Sequence, residues 1–172
     1  MTTSASLSVL VGKDFACVKI TGRANFTFSP DFKALLTGLT QKGYKHFILD
    51  LSECLLMDST FLGTLAAFGL TTNPAAVDHS DIELCNPSAR VAELLENLGV
   101  IELFKVTNGP LKMPCEMSAA KTEQTEHSRE EITRTCLEAH KALMAANPQN
   151  VVRFKDVTQF LAEDLKNLQK AG

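Results

Sequence analysis

Three consecutive residues, Asp58-Ser59-Thr60, combine a carboxylate with two hydroxyls directly ahead of an apolar periodic stretch, Leu62, Leu65, Ala66 and Phe68. Asp and Ser favour the N-cap position, where a side-chain oxygen accepts from the first unpaired backbone N–H groups. A hydroxyl at a helix start also sits at the positive end of the helix dipole, where an anion is well tolerated. The chemistry such a site supports is acceptance of a phosphate, with Ser59 the preferred acceptor and Thr60 the competitor. A plain helix cap is the simplest alternative use of the same residues.

The rest of the chain offers little other chemistry. None of the four histidines (His46, His79, His127, His140) lies close in sequence to a motif Ser or Cys, so no nucleophile–base pair is expected. No glycine-rich phosphate cradle follows a strand. Neither the histidines nor the five cysteines (Cys17, Cys54, Cys85, Cys115, Cys136) are paired at ligand spacing, so no metal is expected, and no cofactor is called for. The odd cysteine count without a CxxC pair points to reduced thiols in the cytoplasm. A net charge of −3, with no interleaving of basic and aromatic residues, argues against direct nucleic-acid binding. Residues 1–6 lack the features of a signal peptide, and the stretch Leu55 to Leu70 is too short and polar for membrane insertion.

The elements that must position Ser59 follow from hydrophobic periodicity. Two runs, residues 7–11 and 15–20, flank Gly12-Lys13-Asp14 and predict a β-hairpin. Ser29-Pro30 predicts a helix N-cap with Pro at the first helical position, and Phe32, Leu35, Leu36 and Leu39 give that helix one buried face. Phe47-Ile48-Leu49-Asp50-Leu51 is apolar enough for a central strand covered on both sides. Asp50 at its end, with Ser52, is expected to hold nearby loop N–H groups rather than to catalyse. After the 58–69 helix, ending at Gly69, loop residues 71–74 and 78–81 precede a strand at 82–85, a helix capped by Ser88, and a last strand at 101–106. The order is β-β-α-β-α-β-α-β, an α/β fold with a mixed, mainly parallel sheet. A 45% hydrophobic content over 172 residues suffices to build it.

Residues 1–112 thus read as one domain, 113–128 as a polar linker, and 129–172 as a helical C-terminal extension. Ser128-Arg129-Glu130-Glu131 has the form of a capping box, and a second helix is expected to begin near Asp156. Both helices carry apolar stripes. These must dock on the domain, on each other, or on a second chain as a homodimer.

The segment Leu49-Asp50-Leu51-Ser52 through Asp58-Ser59-Thr60-Phe61-Leu62-Gly63 resembles the STAS domain of bacterial anti-sigma factor antagonists. In that pattern an apolar strand ends Asp-Leu-Ser, and Asp-Ser-Ser/Thr-Gly-Leu-Gly enters a helix. The resemblance extends over residues 7–106, including Asn86-Pro87-Ser88 and the stretch 95–104. It implies that Ser59 is phosphorylated by an anti-sigma factor serine kinase, that the unphosphorylated form sequesters this kinase and frees a sigma factor, and that a serine phosphatase resets the switch. Asp58, Ser59, Thr60, Phe61 and Asn25 are then the expected partner-binding residues. Phe61 stands where Gly is common, as an interface anchor if exposed and a core residue if buried; Asn25-Phe26-Thr27 replaces a Glu-Leu-Asp type loop. The alternative carried by the same resemblance is a non-phosphorylated accessory or scaffold subunit of a transporter or signalling assembly. An enzyme has least support.

Overall fold

The computed structural model describes residues 5–72, 82–111, 118–120 (backbone only) and 125–171. Strands β1 (Ser6–Val11) and β2 (Phe15–Ala24) form the expected antiparallel hairpin. Beyond it come α1 (Ser29–Gln41), β3 (His46–Asp50), β4 (Cys54–Met57), α2 (Ser59–Thr72), β5 (Ile82–Cys85), α3 (Ala89–Asn97), a 3-10 turn (Ile101–Leu103) and β6 (Lys105–Thr107). Then follow β7 (Ser118–Ala120), α4 (Arg129–Ala146) and α5 (Gln149–Ala171). The sheet runs β6-β5-β3-β2-β1-β7, parallel from β6 to β2 and antiparallel thereafter. The middle of central β3, Phe47-Ile48-Leu49, is apolar because both of its faces are covered, and Phe47, Leu49 and Leu51 sit in the main core with Val18, Ile20 and Leu84.

Several local boundaries differ from expectation for identifiable reasons. Residues 54–57 are a strand rather than a plain connection. The register of β2 shifts between Gly22 and Arg23, and Gly22 takes a positive φ of 79°. The far half of β2 thereby leaves β3 and pairs in parallel with β4. Helix α1 begins at Ser29 itself, with Phe28 at the cap and Pro30 in the first turn, and the Ser29 hydroxyl donates instead to the Asn25 carbonyl at 3.3 Å. Helix α2 continues through Gly69, whose missing side chain leaves room for the Phe104 ring: a Cβ there would come within 3.2 Å of it. The expected strand at 101–106 begins only at Lys105, because Leu103 and Phe104 donate to the carbonyls of Val100 and Ile101 and wind that stretch into a turn. Ser88 and Ser128 cap α3 and α4 as expected, accepting from Val91 N and Glu131 N. Thr71 and Thr72, expected to begin a loop, form the last turn of α2, where the Thr71 hydroxyl donates to the Ala67 carbonyl; the rest of the predicted loop, 73–74, and that at 78–81 lie outside the described residues.

The C-terminal region departs most. The stretch read as linker contributes β7, an edge strand antiparallel to β1 with Leu10 opposite Ala119. Helix α5 starts at Gln149 rather than near Asp156, since Asn147 Oδ1 accepts from Gln149 N at 3.0 Å and Pro148 opens the first turn. Both helices return to the domain. Helix α4 lies along α2, and α5 folds back on α4.

Candidate functional site

The β2–β4 pairing determines where Asp58 sits. Its N–H donates to the Ala24 carbonyl at 3.0 Å, which fixes the chain at the mouth of the 25–28 loop. Its two carboxylate oxygens then divide their work: Oδ1 accepts from Phe61 N at 2.8 Å and caps α2, while Oδ2 accepts from Phe26 N at 2.6 Å and holds the loop against the helix start. Burial pushes the Asp58 carboxyl above the usual range, opposed by these two N–H donors and then by the nearby His140.

Within the loop, Asn25 Oδ1 accepts from the Thr27 N–H at 3.1 Å and the Thr27 hydroxyl at 2.6 Å, so the amide shapes an Asx turn. Its neighbour Phe26 is 46% exposed and tied to Asp58 through its backbone, which makes it the aromatic side chain on the rim. Phe61 is not. It is fully buried and stacks on Phe32 with ring centroids 4.3 Å apart, so the expectation of a partner-facing Phe61 is replaced by a core role. The third position of a helix's first turn points wherever the packing of α1 against α2 directs it, and here that is inward. Asp50 Oδ1 accepts from Ser52 N at 3.1 Å and from the Ser52 hydroxyl at 2.7 Å, closing the turn that leads into β4.

Ser59 itself is half-buried, and its partner comes from 81 residues away: Ser59 Oγ lies 3.0 Å from His140 Nε2 on α4. The other ring nitrogen, Nδ1, lies 2.7 Å from the Cys136 carbonyl, which can only accept. Nδ1 therefore carries the proton, and in the neutral ring Nε2 is the acceptor for the Ser59 O–H. His140 is 5% exposed, with the Phe154 ring of α5 edge-on at 4.9 Å. Buried Thr60 donates to Cys136 Sγ at 3.6 Å. The structure thus brings together a serine and a histidine where none was expected from sequence proximity. The available signal was His140 lying on the same stripe of α4 as Cys136, Leu137 and Leu143.

Helix α4 approaches α2 closely enough to require glycine. A Cβ on Gly63 would lie 2.4 Å from the Ala139 carbonyl oxygen, so the two backbones meet. Leu143 is fully buried in the domain's own core. Polar contacts secure the edges of the contact. Asn150 Nδ2 donates to the carbonyls of Leu98 and Leu143, both at 2.8 Å, and Arg153 donates to the Asn97 carbonyl at 2.9 Å. On the other side, Lys33 pairs with Glu138, and His127 bridges Asp31 and Glu131. The α4–α1 seam is less filled: a cavity of about 260 Å³ lies there, walled by Leu36, Phe68 and Ala139 among others.

Among the described residues no cluster of His, Cys, Asp or Glu could hold a metal, and no helix is long and apolar enough to cross a membrane. A hairpin-led mixed sheet, with an Asp-capped serine where the second helix begins, defines a mixed α/β domain whose site lies at the start of α2. The STAS domain family matches residues 7–112, and the chain belongs to that family. No curated protein matches. Among solved structures, an anti-sigma factor antagonist from Mycobacterium paratuberculosis is 16% identical, with a TM-score of 0.50, covering 60% of this chain and 85% of that one. The anti-sigma factor antagonist SpoIIAA in its unphosphorylated form gives 16%, 0.51, 62% and 89%. A candidate antagonist from Thermotoga maritima gives 18%, 0.52, 61% and 87%. At these identities the likeness is one of fold. The family match stops at residue 112, before α4 and α5.

Proposed function

We propose that the chain is an anti-sigma factor antagonist, a phosphorylation-controlled binding switch that acts in the cytoplasm on transcription. In this reading the unphosphorylated domain sequesters an anti-sigma factor serine kinase, Ser59 is the acceptor, and a serine phosphatase restores the binding state. The observation that carries it is the placement of Ser59 in the first turn of α2, with Asp58 already serving as the cap. The Ser59 hydroxyl is therefore not needed to close the helix, and a phosphate there would meet the positive end of the helix dipole. About −1.5 to −2 charges added beside Asp58 and the exposed Phe26 ring would repel a partner packed on this rim while leaving the core of the α/β domain intact.

The test is phosphorylation by the serine kinase encoded nearest to this chain's gene, with ATP, followed by site-resolved mass spectrometry. Phosphate is expected on Ser59 in the wild type and absent in Ser59→Ala, which should fold with a loss of only about 0.5–1.5 kcal/mol for the hydrogen bond to His140. A wild type that stays unmodified while the kinase is active on itself or another substrate refutes the switch. That outcome would favour the second reading, a non-phosphorylated accessory or scaffold subunit, which draws support from the Ser59–His140 contact because it occupies the hydroxyl in cis.

A further inference from the structure

The face of α2 that carries Ser59 is not open. It is covered by a helix of the same chain, which presents Cys136, Ala139, His140 and Leu143 to it. Three observations mark this cover as an element distinct from the domain beneath. The family match ends at residue 112, before the cover begins. Asp58, the α2 cap, takes its hydrogen bonds from the domain alone. The seam against α1 holds a cavity, and of the described contacts that bridge it the Lys33–Glu138 pair is exposed and contributes little, leaving His127, between Asp31 and Glu131, as the polar tie at the start of α4.

We propose that α4 and α5 form an intramolecular competitor for the Ser59 face, closed when Ser59 is free and released when this hydroxyl carries a phosphate. The proposal rests on the phospho-switch reading for its second half only. In the closed form the Ser59 O–H donates to His140 Nε2 across 3.0 Å. A phosphoserine has no proton on Oγ to give, the neutral ring has none on Nε2 to offer in exchange, and a contact at hydrogen-bond distance leaves no room for the added group. Asp58 adds a like charge on the same side. Closure and phosphorylation are therefore mutually exclusive, and by linkage a tightly docked cover protects Ser59 from any kinase to the same degree that phosphate opens the cover. A partner for this face competes with a helix, and the surface it needs is one fitted to a helix.

The molecule carries its own reporter. Cys136 is on the cover and contacts Thr60, whereas Cys17, Cys54 and Cys85 are buried within the domain. Full-length protein is treated with N-ethylmaleimide and the rate at each cysteine followed by peptide mass spectrometry. Gly63→Ala introduces a methyl against the Ala139 backbone while favouring the helix that carries it, and Ala139→Leu applies the same wedge from the cover, leaving the domain sequence untouched. Both are expected to raise the Cys136 rate roughly tenfold or more, as overpacking a close contact predicts, with Cys17, Cys54 and Cys85 unchanged. Ser59→Glu, which removes the hydroxyl proton and adds charge, should do likewise. An unchanged Cys136 rate in Gly63→Ala and Ala139→Leu overturns the proposal, as does equal acceleration at Cys17, Cys54 and Cys85, which would make the cover and domain one unfolding unit. A Cys136 protected in Ser59→Glu overturns the link to phosphate. None of these outcomes depends on a kinase, so a failure to phosphorylate Ser59 would sink the proposed function and leave the closure measured.

Discussion

Phe61 is the position at which core and interface roles make opposite predictions. The ring is fully buried between α1 and α2 and stacks on Phe32, so Phe61→Ala removes a large apolar group and leaves a cavity that close-packed neighbours only partly fill. Such truncations cost about 3–5 kcal/mol, against a total stability of about 5–15 kcal/mol for an ordinary domain. With a urea dependence near 2 kcal/mol per molar, the midpoint should fall by roughly 2 M, read by far-ultraviolet circular dichroism. Phe61→Leu, which keeps most of the volume, should cost about 1 kcal/mol. The same truncation at half-exposed Phe26 should move stability by no more than about 0.5 kcal/mol. A double-mutant cycle with Phe32 should give a coupling of about 0.5–1.5 kcal/mol, the worth of an aromatic pair beyond its area. If Phe61→Ala instead shifts the midpoint by less than about 0.5 M, the ring is not part of the core.

Two further outcomes follow from the contacts of the C-terminal helices. Asn150→Ala removes both donors to the Leu98 and Leu143 carbonyls in a site 1% exposed, and should cost roughly 1–3 kcal/mol in thermal unfolding, with faster amide exchange at the end of α4; exchange unchanged there would show that the amide does not hold it. His127 has Nε2 at 2.7 Å from Asp31 Oδ1 on α1 and Nδ1 at 2.8 Å from Glu131 Oε2 on α4, with the Thr125 hydroxyl also at 3.2 Å from Nε2. The hydrogen bond to Asp31, then that to Glu131, raises its pKa above the ordinary 6.5. A raised folded-state value means that this contribution is complete below pH 6.5 and is lost as pH climbs through the higher folded pKa. Urea midpoints across this window should fall more in the wild type than in His127→Gln, and a wild type that gains relative stability with rising pH would contradict the bridge.

Much of the domain was legible because its determinants are local. The apolar run 47–51, the hairpin break at Gly12 and the Ser88 cap each depend on neighbours within a turn or a strand, and the structure has all three. The boundaries that moved are those decided by a neighbour in space: β4 exists because Gly22 lets β2 change partner, and α2 passes Gly69 because Phe104 packs there. Asp58 as a cap is a local event, and so could be anticipated.

By itself, then, the sequence determined the alternation of strands and helices, the capped start of α2 and the hydroxyl of Ser59 within it, since periodicity and capping are encoded over a few residues. Only the tertiary structure decided what meets that hydroxyl. Whether Phe61 faces outward or inward depends on how α1 lies on α2, and whether Ser59 is open depends on a histidine 81 residues later. Spacing along a chain carries no record of such meetings; they arise when an amphipathic helix finds the surface that buries it, and here α4 finds it where Gly63 allows two backbones to touch.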